Sequence, residues 1–170
     1  MNETQEARPT ITARGRRRAT VVTALLAACF ALAGCEAPPP SVTWFGNGTS
    51  VDVGPALYCT LTNQPAPNCT ETDGPVARLT LRPGDTVQVN IPAEVAEQPW
   101  VLVFSYVNDS ASYRTPVNTD GRTLSYLIKP IAGEQLKQVD LQVPILTASP
   151  DGAPQFTPYR DWILMVDPQS

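Results

Sequence analysis

From Ser41 onward the chain never sustains a helical period. β-branched, aliphatic and aromatic residues come in short runs, each cut off by Pro, Gly, Asn or Asp. Such punctuation leaves no room for long helices and imposes strands joined by turns. The spacing predicts strands near 42–45, 50–53, 56–61, 76–81, 86–91, 100–107, 122–128, 136–143 and 161–166. The segment Ala93 to Gln98 has room for one helical turn before Pro99. A turn of that length does not alter the class.

The clearest unit is Ala77-Arg78-Leu79-Thr80-Leu81, the turn Arg82-Pro83-Gly84-Asp85, and Val87, Val89 and Ile91 alternating with Thr86, Gln88 and Asn90. Alternation with a period of two puts Leu79, Leu81, Val87, Val89 and Ile91 on a buried face and their neighbours in water. Trp100 to Val107 is apolar on nearly both faces, as in a strand covered on both sides. Leu124, Tyr126, Ile128, Val139, Leu141 and Val143 alternate again and are expected to face inward. The expectation for 41–170 is an all-β fold, an immunoglobulin-like two-sheet β-sandwich of about eight or nine short strands.

The amino terminus carries a different signal. Arg14, Arg16, Arg17 and Arg18 precede an uncharged run from Ala19 to Gly34, rich in Ala, Leu and Val, which ends in Leu32-Ala33-Gly34-Cys35. The run is shorter than the roughly 20 residues that span a bilayer, so residues 1–34 read as an export signal. Small residues directly before a cysteine resemble the bacterial lipobox. That resemblance implies cleavage before Cys35 and a diacylglycerol thioether on its sulfur, with a fatty acid such as palmitate on the new amine. An ordinary signal peptide with an accidental cysteine is the alternative. Residues 35–40, with Pro38, Pro39 and Pro40, read as a short extended tether. The domain is thus expected on the extracytoplasmic face of the membrane, fastened through Cys35. The route of export, general or twin-arginine, stays open.

From Cys35 onward seven basic side chains face fourteen acidic ones, a net charge of −7. An acidic domain without a basic stripe is repelled by nucleic acid, which excludes that class of partner. The chain has no His, so Ser-His-Asp and Cys-His nucleophile pairs and an imidazole base are excluded. No cofactor motif is present, and a zinc site needs about four ligands, which two cysteines do not supply.

Cys59 and Cys69 are the thiols left after Cys29 is removed with the signal. In an exported protein they read as one disulfide, since Cys-x-x-Cys spacing is missing. Asp109, Asp120, Asp140, Asp151, Asp161 and Asp167 are the carboxylates a hydrolase could use, and nothing in the sequence selects a pair. Turn-making accounts for those beside Gly. Trp44 and Phe45, Tyr113 and Tyr159 form either a recognition patch or edge-strand core, and the second is expected. Asn47, Asn68 and Asn108 open Asn-x-Ser/Thr triplets that read as turn composition.

The arrangement as a whole resembles a family of small actinobacterial envelope lipoproteins built on one domain of unknown function. The residues that carry it are the lipobox at Cys35, Val-x-Val-Gly-Pro-Ala-x-Tyr-Cys at 51–59, and Cys69. Leu-Arg-Pro-Gly-Asp-x-Val-x-Val, Pro99-Trp100 and Trp162 complete it. The resemblance implies an address and a fold, and no activity or ligand. The functional expectation is a non-catalytic module that binds or scaffolds an envelope protein or glycan through its loops at 108–121 and 147–160. The alternatives are a loop-presenting inhibitor of an envelope protease and a carboxylate-dependent cell-wall hydrolase.

Overall fold

The structure, a computed structural model, describes residues 38–60, 68–71, 76–149 and 151–169. The predicted signal at 1–34 and the lipobox Cys35 lie outside the described residues. In chain order the strands are β1 (Val42–Gly46), β2 (Thr49–Val53), β3 (Leu57–Thr60), β4 (Asn68–Glu71), β5 (Ala77–Leu81) and β6 (Val87–Asn90). The single turn α1 (Ala93–Ala96) follows, then β7 (Val101–Tyr106), β8 (Ser112–Arg114), β9 (Ser125–Ile128), β10 (Leu136–Ala148) and β11 (Pro154–Pro168).

The strands form two sheets, a smaller one in the order β2-β1-β6-β9 and a larger one in the order β4-β3-β11-β10-β7-β8, with β5 also paired to β11. The pairing of β5 with β11 is parallel and the other pairings are antiparallel. The fold is an all-β two-sheet sandwich. Its core joins Trp44, Val42, Val87 and Val89 of the smaller sheet to Trp100, Leu102, Val139, Leu141, Trp162 and Leu164 on and beside the larger one. β5 and β6 show the predicted alternation, with Leu79, Leu81, Val87, Val89 and Ile91 buried.

Local chemistry sets the turns. Asn47 and Gly48 both take positive φ, +48° and +72°, between Gly46 and Thr49, which face each other across β1 and β2. This is the two-residue hairpin in which Asn-Gly is favoured. Gly46 is needed for space, since a Cβ there would stand 2.7 Å from the Leu81 side chain.

Three expectations are corrected. The described strands number eleven; β4 and β8 are short polar edge strands whose sequences carry little apolar alternation. Leu124 and Tyr126 do not face inward but are 52% and 37% exposed. β9 is an edge of the smaller sheet, and there only Ile128 reaches the core while Tyr126 meets Trp100 edge-on at 6.1 Å. The third correction is the largest. The segment 147–160 is not a loop, because β10 and β11 run on through it as a hairpin of 13 and 15 residues.

Candidate functional site

Beyond Gln142 of β10 and Arg160 of β11 these two strands pair only with each other. The free part is an arm. At its base the register shifts between Val143 and Pro144, a bulge that re-aims the ribbon. Across the arm Pro144 faces Pro158, Leu146 faces Phe156 and Ala148 faces Pro154. Opposed residues lie on the same side of a sheet, so these six form one uninterrupted apolar strip. The other side carries Ile145, Thr147, Gln155 and Thr157, with the two threonine hydroxyls 2.7 Å apart. Leu146 and Phe156 are 65% and 59% exposed, the highest values among the large apolar residues described.

Phe156, Pro158 and Pro144 line a shallow groove together with Val101, Val103, Gln142, Arg114 and Val117. Both segments expected to carry function therefore meet here, since Arg114 and Val117 come from 108–121 and Phe156 and Pro158 from 147–160. Arg114 is positioned by β8, where it faces Val103. Thr115 fixes the strand end beside it, its hydroxyl accepting from the Leu102 N–H at 3.1 Å.

Next to this groove the same face of the larger sheet is polar. Gln138 donates to Asp140 at 2.8 Å and Gln142 to Asp161 at 3.4 Å. Asp140 faces Ile163, and Asp161 faces Gln142, which makes the two carboxyls diagonal neighbours. Burial pushes Asp140 up, and Asp161 is pushed up to about 7 by burial and then by the charge of Asp140. Oδ1 of Asp161 is buried with no hydrogen-bond partner. Asp140 lines a second shallow groove with Gln138, Ser105, Ser112, Val103 and Phe104, whereas Asp161 lines neither groove.

The other candidate carboxylates serve their own turns. Asp109 accepts from the Ala111 N–H and from the Tyr113 hydroxyl at 2.6 Å, and the hydroxyl in particular holds it below the usual carboxylate range. Asp120 accepts from the backbone of Arg122 and Thr123 and is lowered to about 2. Asp151 accepts from the Ser149 hydroxyl at the tip of the arm, which lowers it. Asp167 pairs with Arg78 at 2.9 Å. Among the described residues no three acidic or Cys side chains are grouped to hold a metal ion.

Cys59 and Cys69 are bonded and stand opposite each other across β3 and β4. Beside them the Arg160 guanidinium lies 4.4 Å over the Tyr58 ring and 5.3 Å from that of Tyr159. Of the aromatics, Trp44 and Tyr159 are core and Phe45 is half-buried, whereas Tyr113, expected in the core, is exposed on the edge strand β8 and stacks on Phe104 at 5.8 Å.

A family model described as "Protein of unknown function (DUF2771)" matches residues 35–167. The chain belongs to the DUF2771 family. No curated protein matches it, and no solved structure does. The match to DUF2771 takes in both cysteines of the disulfide, both walls of the groove and the whole arm. Of these, the arm was the feature the sequence reading missed. The signal was present, since Pro144, Leu146 and Ala148 and then Pro154, Phe156 and Pro158 recur at the strand period of two. Their prolines masked it, because proline usually marks an edge or a loop.

Proposed function

We propose that this DUF2771 protein is a lipid-anchored, non-catalytic binding module on the extracytoplasmic face of an actinobacterial cell envelope, fastened through Cys35. The observation that carries the binding part is the convergence of 108–121 and the β10–β11 arm on one groove, with an apolar floor of Val101, Val103, Val117 and Pro144 and a single cation, Arg114. An exposed apolar surface next to one placed charge is how binding sites combine area with orientation. The anchoring part is supported by Arg14 to Arg18, the uncharged run and Leu-Ala-Gly-Cys.

Crosslinking and mass spectrometry of the full chain in its native envelope test this reading. Crosslinks are expected to cluster at 108–121 and 143–160, to fall away in Arg114→Glu and Val117→Asp, and the Cys35 peptide is expected to carry lipid mass. Crosslinks spread evenly over the domain, unchanged in both variants, would refute it. One observation favours a second reading, a carboxylate-dependent hydrolase: Asp161 titrates near 7 beside Asp140. Hydrolysis of cell-wall polysaccharide that Asp161→Asn abolishes would establish that reading instead.

A further inference from the structure

The chain enters the domain at Pro40, at the same end from which the arm projects. The indole N–H of Trp162 donates to the carbonyl of the buried Pro40, so the chain enters the fold at the level of Trp162. β1 starts there, with Val42 facing Val53, and β3 departs there, with the Ala56 N–H donating to the Asp161 carbonyl. The opposite end is marked by the β1–β2 turn, where Asn47 donates to Gln169. β11 therefore runs through the body of the sandwich from Trp162 to Gln169, and its earlier residues stand beyond the tether end.

Lengths make this juxtaposition informative. Cys35 lies five residues before Pro40, so its Cα can stand no more than about 18 Å away. Phe156 lies six residues beyond Trp162, about 20 Å along the strand. Any lipid on Cys35 would thus hold the tether end of the domain within arm's length of the headgroups. The strip that reaches toward them, Pro144, Leu146, Ala148, Pro154, Phe156 and Pro158, is apolar throughout. Between Val143 and Tyr159 the arm carries Asp151 and no other charge.

We infer that this strip of the β10–β11 arm is a membrane-contact surface, lying along the headgroup-to-acyl boundary of the bilayer with Phe156 and Leu146 in lipid. The inference rests on the anchored reading of Cys35 and names the partner of the same surface. Asp151 sets the posture. Its carboxylate, held ionised by Ser149 at the tip, resists end-on insertion, so the arm lies flat. On the other side Ile145 packs against the core at the base of the arm, and Thr147, Gln155 and Thr157 are left to face water, which is the arrangement of an amphipathic interfacial element. An apolar strip of this kind needs no anionic lipid, in keeping with the acidic domain it serves.

The test uses the full chain, processed in its native host, as Phe156→Trp and separately Leu146→Trp. Each is reconstituted in phosphatidylcholine vesicles whose acyl chains are brominated near the carbonyl. The native Trp44, Trp100 and Trp162 are buried, so the unsubstituted protein supplies the background. Emission of each new tryptophan is expected to fall by about half or more relative to unbrominated vesicles, as for a side chain at the interface. Adding phosphatidylglycerol should not increase the effect. Lipid mass on the Cys35 peptide with both tryptophans unquenched would overturn the contact alone and assign the strip to a protein or a second copy. A Cys35 peptide without lipid would overturn the anchor and, with it, the contact.

Discussion

Trp162 and Pro40 stand 122 residues apart in sequence and are joined by a 2.9 Å hydrogen bond from the indole N–H to the proline carbonyl. The other two buried tryptophans, Trp44 and Trp100, have indole N–H groups without a partner. Trp162 is thus both a core side chain and the pin that holds the point of entry.

Removing the pin should be costly. Trp162→Phe keeps an aromatic ring but leaves the Pro40 carbonyl buried and unpaired, a loss of about 1–3 kcal/mol. Trp162→Ala adds a cavity and should lose about 3–5 kcal/mol. Urea denaturation of the two variants should rank them in that order, and a phenylalanine variant as stable as the parent would remove the role of the hydrogen bond.

Cys59 and Cys69 close a short loop, with a sequence separation of 10. Replacing both by Ser should lower stability by about 2–3 kcal/mol by the loop-entropy model. The midpoint of thermal unfolding, measured with and without reductant on the parent, checks this independently. Reductant should move the parent and leave the double variant unchanged.

Asp161 gives stability a pH dependence of unusual sign. Its carboxyl titrates near 7 in the fold, well above the value of about 4 for an exposed Asp. Below about pH 4 both folded and unfolded chains hold this proton, and the group costs nothing. As pH rises from there toward 7 the unfolded chain releases its proton first, so stability falls, by at most about 1.4 kcal/mol per pH unit for one proton. Asp161→Asn should flatten this slope and raise stability at pH 8 more than at pH 4. An unchanged slope in denaturant titrations across that range would show that Asp161 is ionised in the fold.

Gly46 has no room for a side chain, because Leu79 and Leu81 crowd the place of its Cβ. Gly46→Val should therefore destabilise by about 1–3 kcal/mol through overpacking. A companion Leu81→Ala change should restore part of the loss in the Val background, which a double-mutant cycle would read as coupling.

The arm should be thermodynamically expendable. Leu146→Ser and Phe156→Ser remove exposed apolar surface and should change stability by no more than about 0.5 kcal/mol. Calorimetry that found either variant strongly destabilised would place these side chains in the fold rather than at its surface.

Much of the fold was legible because burial on one face writes a period of two into the sequence. Leu79, Leu81, Val87, Val89 and Ile91 are buried as that period requires, and the turn at 93–96 is where the run before Pro99 allows one. What was not legible depends on which strand lies at an edge. Leu124 and Tyr126 have the alternation of a core strand, yet β9 has a neighbour on one side only and they remain in solvent. The same rule hid the arm, whose apolar residues face no second sheet and whose prolines are tolerated because each strand there has one partner. Of the candidate site, the two contributing segments could be named from their position between strands. Their meeting could not, because it depends on β8 and β10 flanking β7 in the larger sheet.

The place of β11 in the larger sheet makes the other strands depend on it. This last strand lies between β3 and β10 and also receives β5. Without it the sheet falls into a β3–β4 hairpin, a solitary β5 and a β10-β7-β8 ribbon that share no neighbour. The body of β11 is thus the seam of the larger sheet: losing its pairings would part three groups of strands at once, whereas losing β4 or β8 would remove only an edge.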